Sequence, residues 1–163
     1  MKKKMIPIII AFIIIIIATI LIVSLIKKNN YKHYEIIEIS YSYGDGFGTI
    51  IDTSDKTITF TPNGKVKLSN SYNSYTETFN ISQSKYNELN DFITDNLSLF
   101  DEKPKEDNSV LDGSNSSIQI KLKNGQTKKI GGYMIKNKKF NKIENKIYEI
   151  IDLKRIKQYE DNI

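Results

Sequence analysis

The chain is 163 residues long, with 24 Lys or Arg, 19 Asp or Glu, one His, a formal net charge of +5 and neither Cys nor Trp. One domain of ordinary size is the prior for that length, with little room for a second. Without thiols the chain has no disulfide framework, no cysteine-ligated zinc or iron site, no thiol nucleophile and no lipidated cysteine.

The first element is apolar. Ile6 to Ile26 is a run of 21 residues without a charge, twelve of them Ile, with Thr19 and Ser24 as its only hydroxyl side chains. At about 1.5 Å per residue a helix of this length covers the roughly 30 Å hydrocarbon core of a bilayer, and Pro7 falls in the first turn, where a missing N–H costs little. Lys2, Lys3 and Lys4 also suit the basic region of a signal peptide, but the apolar run is too long and Ile22-Val23-Ser24 is a poor cleavage site. The expectation is therefore an uncleaved, single-pass anchor that meets the lipid bilayer through Ile6 to Ile26, with a cytoplasmic N-terminus and an exported C-terminal domain. Five Lys and no acid among the first 28 residues account for the whole net charge, leaving 19 basic against 19 acidic residues beyond them. The basic balance thus gives no argument for nucleic acid. The organisation expected is an anchor over 1–28, a short linker over 29–33 and an extracytoplasmic domain over 34–163.

From Tyr34 onward, strand signals dominate. Ile37, Ile39, Tyr41 and Tyr43 alternate with Glu38, Ser40 and Ser42, the period of a half-buried strand. Gly44-Asp45-Gly46 predicts a tight turn, with Phe47 to Ile51 returning antiparallel. Thr57 to Thr61 reads as a third strand, Asn63-Gly64 as a hairpin turn into Lys65 to Leu68, and Tyr72 to Phe79 as a further strand with Tyr75 and Phe79 inward. The period then changes. Ser82 is placed to cap a helix, Ile81 and Tyr86 to staple it, and Tyr86, Leu89, Ile93, Leu97 and Phe100 recur at helical spacing. Asp101 to Ser109 is charged, contains Pro104 and predicts an exposed loop. Ser117 to Lys123 and Thr127 to Ile130 flank Asn124-Gly125 as a second hairpin, Gly131-Gly132 is expected to break that strand, and a last helix carries Phe140, Ile143, Ile147, Ile150 and Ile151 on one face. The fold class expected is α+β: a β-meander, a helix, a β-hairpin and a helix, with a mainly antiparallel sheet and the helices on one of its faces. A β-sandwich is the alternative.

Tyr41-Ser42-Tyr43-Gly44, Val110-Leu111-Asp112-Gly113, Lys123-Asn124-Gly125 and Gly132-Tyr133 ahead of Phe140 form an ordered set. In that order the chain resembles small exported or lipoprotein-like domains of unknown function from low-GC Gram-positive bacteria. The resemblance implies an envelope location and no activity; those domains are often anchored through a lipidated cysteine, which this chain lacks.

No residue is assigned to catalysis, to a cofactor or to a metal. Gly44, Gly46 and Gly48 do not make a phosphate loop, because strand patterns lie on both sides. A catalytic triad would have to use His33, on the juxtamembrane connector. Asp45, Asp52, Asp55 and Asp112 lie near turns, where turn chemistry accounts for them, and Asp107 to Gly113 lacks the alternate-residue spacing of a calcium loop. Charge polarity is more informative. Lys85 to Asp112 carries three basic and eight acidic residues, Lys121 to Lys157 twelve basic and three acidic. Lys138, Lys139, Lys142 and Lys146 lie off the apolar stripe of the last helix and are the candidate contacts to an anionic polymer or lipid surface; a solvated helix partly neutralised by the acidic segment is the alternative. Tyr41, Tyr43, Tyr72, Tyr75 and Tyr133 are candidates for a carbohydrate- or peptide-binding face. The expected function is a non-enzymatic module that recognises an envelope protein, peptide or anionic polymer near the membrane, with no nucleic-acid partner. An immunity- or inhibitor-type protein acting on a toxin or protease is the second reading, and a carboxylate-dependent hydrolase the third.

Overall fold

The computed structural model describes residues 12–23, 35–47, 56–103, 112–151 and 155. Contacts along the chain divide it into two compact units, Met1–Tyr34 and Glu35–Ile163. In the first, residues 12–23 form helix α1, and every one of them is exposed. Among the described residues no helix is long and apolar enough to cross a membrane. The 21-residue run Ile6 to Ile26 extends past both ends of α1, and its outer parts, like the linker 29–33, lie outside the described residues.

The second unit is α+β. Its strands are β1 (Ile36–Phe47), β2 (Lys56–Phe60), β3 (Lys65–Asn70), β4 (Tyr75–Asn80), β5 (Asp112–Leu122) and β6 (Thr127–Tyr133), with helices α2 (Gln83–Asp95) and α3 (Lys138–Ile150) and a 3₁₀ helix (Leu97–Asp101). The strands make one six-stranded sheet in the order β4-β3-β2-β1-β5-β6, and every neighbouring pair is antiparallel. The first four strands form a meander, without, among the described residues, the separate return strand expected over Phe47 to Ile51; the β5-β6 hairpin then pairs with the free side of β1, so β1 is central. A single sheet rules out the sandwich.

Alternate residues divide the sheet into two faces. On one, Ile39, Ile58, Phe60, Val66, Leu68, Ile118 and Ile120 are fully buried. Both helices lie against this face: the Tyr86 hydroxyl of α2 reaches the Ile36 carbonyl, and the Tyr41 hydroxyl of β1 bonds Glu144 and Tyr148 of α3. Tyr86, Leu89 and Ile93 of α2, and Phe140, Ile143, Ile147 and Ile150 of α3, are the buried stripes that the helical spacing gave. The Ser82 hydroxyl accepts from the Lys85 N–H at 3.4 Å, and the Asn137 side chain accepts from the N–H groups of Lys139 and Phe140 at 2.9 and 3.3 Å, so each helix starts on a capping side chain.

Several local readings are corrected by pairing that lies far away in sequence. Gly44-Asp45-Gly46 is not a turn. β1 runs through it to Phe47, because Asn115, Ser114 and Gly113 of β5 stand opposite and supply backbone partners. Phe47 therefore ends β1 and does not start a return strand, while 48–51 lie outside the described residues. A bulge between Ile36 and Glu38 shifts the start of β1, so Ile36 is buried and Ile37 only half-buried. Tyr72 belongs to the β3-β4 turn and β4 begins at Tyr75; the long helix stops at Asp95, and Leu97 and Phe100 are buried from the 3₁₀ turn that follows.

Gly131-Gly132 does not break β6 either. Gly131 stands opposite Ser117, and a Cβ on it would lie 2.1 Å from the Ser117 Cβ, so glycine here permits a close strand pair. At the first hairpin Gly64 has φ +75, as the Asn63-Gly64 signal requires, and a Cβ would come within 2.7 Å of the Ile81 carbonyl oxygen.

Candidate functional site

The four lysines singled out on the last helix do not act alike. Lys138 and Lys142 are exposed and have no ionic partner among the described residues. Lys139 pairs with Glu102 at 3.5 Å. Lys146 pairs with Glu88 of α2 and, at 3.2 Å, with Glu149; the bond to Glu88, then that to Glu149, raises its pKa. Lys128 of β6 pairs with Asp101 at 2.6 Å. The acidic stretch that begins at Lys85 and the basic stretch that begins at Lys121 therefore meet: α2 and the 3₁₀ turn supply acids to α3 and β6, and half of the candidate lysines are engaged within the fold.

The five tyrosines separate as well. Tyr41 and Tyr43 stack on β1 with ring centroids 5.2 Å apart, and Tyr148 of α3 meets both edge-on, at 5.7 and 6.4 Å. Lys56 stands 5.7 Å from the Tyr43 ring centroid. The Tyr41 hydroxyl donates to the Glu144 carboxylate and lies 3.1 Å from the Tyr148 hydroxyl. Burial, then the bonds to Glu144 and Tyr148, raise the Tyr41 pKa. This cluster joins α3 to the sheet. Tyr75 is on the same side of the sheet, whereas Tyr133 is on the opposite side, its hydroxyl accepting from the Gly113 N–H at 2.7 Å, and Tyr72 projects from a turn at 80% exposure. No common tyrosine face results.

The second face of the sheet is covered by no described helix, and it has a definite chemistry. Following the register from β4 to β6, one row across the strands reads Thr76, Ser69, Thr57, Ser42, Ser117, Gly131. The adjacent row reads Thr78, Lys67, Thr59, Ser40, Gln119, Lys129. The hydroxyls interlock: Ser42 and Thr57 are 3.0 Å apart, Ser40 and Thr59 3.4 Å apart. Beyond the second row, Lys65 stands opposite Asn80, and Glu38 opposite Lys121. Lys65, Lys67, Lys121 and Lys129 are exposed and none has an ionic partner among the described residues. Where the first row meets the β3-β4 turn, Thr57, Ser69, Thr76, Ser71, Ser74 and Tyr75 line a cleft of about 360 Å³. Ser74 there holds φ +59, in the left-handed region.

Among the described residues, the remaining sequence candidates do not converge. His33, Asp52, Asp55 and Asp107 lie outside the described residues. Gly44 and Gly46 sit inside β1, and Asp45 and Asp112 stand at paired strand positions opposite Ser114 and Phe47. Among the described residues no group of three or more His, Asp or Glu side chains is placed to hold a metal ion.

In sequence comparisons, no family model and no curated protein matches the chain. The class that fold and surface define is an α+β domain whose six-stranded antiparallel sheet has one helix-covered face and one hydroxyl-rich face that no described helix covers.

Proposed function

We propose that the protein is a single-pass, membrane-anchored and non-enzymatic binding module of the cell envelope. Its C-terminal domain lies outside the membrane and recognises a protein, peptide or anionic polymer close to the surface. The observation that carries the reading is the character of α1. Residues 12–23 are apolar apart from Thr19, and Phe12, Ile13 to Ile17 and Ile20 to Val23 are between 48% and 67% exposed, so the helix is apolar on every side. Thr19 donates its hydroxyl to the Ile15 carbonyl at 2.8 Å, which satisfies the polar group within the helix, as lipid demands. β-branched residues are mediocre helix formers in water. Such a helix fits lipid better than water, and the uncharged run to Ile26 supplies the length to cross.

The test is protease accessibility of a C-terminal epitope tag in intact protoplasts, with a cytoplasmic protein as leakage control and alkaline carbonate extraction of the membranes in parallel. The chain is expected to stay with the membrane pellet, and the tag to be lost before lysis. Release into the carbonate supernatant overturns the anchor, and a tag that survives until lysis reverses the orientation.

A further inference from the structure

We infer that the open face of the sheet, and not α3, is the binding surface, and that it takes a hydroxyl-rich polyanion: a polyol or sugar chain bearing phosphate or carboxylate groups. The inference rests on the reading of the protein as a binding module and names its surface and ligand class.

Three observations carry it. The first is where the unspent positive charge lies. Lys128, Lys139 and Lys146, on the helix side, are each held by an acid of the same fold. Lys65, Lys67, Lys121 and Lys129 of the open face have no ionic partner among the described residues, and Glu38 is the one acid at the positions between them. An anion approaching this face meets four cations with no ion pair to break among the described residues, whereas α3 offers only two such cations, Lys138 and Lys142, its Lys139 and Lys146 being held by Glu102, Glu88 and Glu149.

The second is spacing. Lys67 and Lys129 stand at β3 and β6 of one row, four strand separations or about 19 Å apart. Between them lie Thr59, Ser40 and Gln119, which both donate and accept hydrogen bonds. A single small anion cannot meet both cations; an extended chain laid across the strands meets both and fills the interval with neutral polar contacts. Lys suits phosphate or carboxylate as a point charge that needs no planar partner.

The third is the neighbouring hydroxyl row. Thr76, Ser69, Thr57, Ser42 and Ser117 run parallel to the lysine row and lead to the cleft beside Ser74. A ligand with its own hydroxyls can exchange bonds with this row. A bare polyanion has no use for it.

The test uses the full chain in nanodiscs of zwitterionic lipid, so that the disc itself carries no net charge, with binding to soluble polymers read by fluorescence anisotropy. The probes are poly(glycerol phosphate) and polygalacturonate, which combine hydroxyls with charge; dextran, which has hydroxyls alone; and polyglutamate, which has charge alone. Binding to either of the first two, with dextran and polyglutamate at least roughly tenfold weaker, is the expected result, and which one binds tells phosphate from carboxylate. Replacing Lys65, Lys67, Lys121 and Lys129 together by Gln should weaken that binding on the order of a hundredfold, while Lys138→Gln with Lys142→Gln leaves it unchanged. A milder pair, Ser42→Ala with Thr57→Val, should weaken the hydroxylated polymers and leave residual polyglutamate binding as it was. Failure of both hydroxylated polymers to bind, equal binding of polyglutamate, a loss confined to the α3 variant, or binding only to vesicles containing phosphatidylglycerol each overturns the inference. Because the nanodisc fixes neither cellular location nor orientation, a failed protease experiment and a failed binding experiment point to different errors.

Discussion

The two faces of the sheet come from the same strands. Ile39 and Tyr41 face the helices while Ser40 and Ser42 face away, and Ile58 and Phe60 do the same against Thr57 and Thr59. On the covered face the polar groups that remain are tied: the Tyr41 hydroxyl is bonded to Glu144, and Lys128 beneath the 3₁₀ turn to Asp101. On the open face the hydroxyls bond to one another and the lysines bond no acid among the described residues. The residues that pack the core and those of the hydroxyl-rich face therefore alternate along the same strands, and each set can be changed without the other.

The sharpest contrast uses adjacent positions. Phe60→Ala removes a fully buried ring and is expected to cost about 3–5 kcal/mol, whereas Thr59→Ala on the opposite face should fall within about 0.5 kcal/mol of the parent in urea unfolding. Equal costs would mean that the open face is also packed. Alkaline pH probes the covered face as a whole. Burial pushes Tyr86 up to about 12, and burial with the Glu144 and Tyr148 bonds raises Tyr41. A group raised on folding contributes stability that is complete below its unfolded pKa, roughly 10 for Tyr, and is lost as pH rises through the folded value. The domain should thus weaken from about pH 10 towards pH 12, with these phenols ionising late in a spectrophotometric titration. Their ionisation along with the other tyrosines would place them at the surface.

Smaller effects follow at the boundaries between the faces. Gly131→Ala forces a Cβ against Ser117 and should cost about 1–3 kcal/mol. Asn137→Ala removes the cap of α3 and should cost about 1 kcal/mol, with the sheet signal in circular dichroism unchanged. Least of all, Lys146→Gln should lower the midpoint slightly at neutral pH and lose its effect in high salt, since its pairs with Glu88 and Glu149 lie at the surface.

What could be read from the chain alone was local. Asn63-Gly64 and Asn124-Gly125 announce their turns, Ser82 its helix, and the stripe from Phe140 to Ile151 its buried side, because each signal lies within a few residues of its effect. What escaped depends on partners distant in sequence. Gly44 to Gly46 look like a turn until β5, some seventy residues on, pairs with them. Gly131 looks like a strand breaker until Ser117 is placed opposite. Lys146 looks like a free cation until α2 brings Glu88 to it. The rows of the open face are invisible for the same reason: each draws one residue from each of six strands, and only the strand order aligns them.

The central place of β1 also has a mechanical meaning. The chain arrives from its N-terminal unit directly into Ile36, so any pull transmitted along that connection loads β1 first. β1 is bonded along both edges, to β2 on one side and to β5 as far as Phe47 on the other. An edge strand in that position would peel away one ladder at a time, whereas extracting β1 means disrupting two ladders at once and splitting the sheet through its middle. A domain wired in this order is suited to stay folded when it is pulled from its N-terminal end.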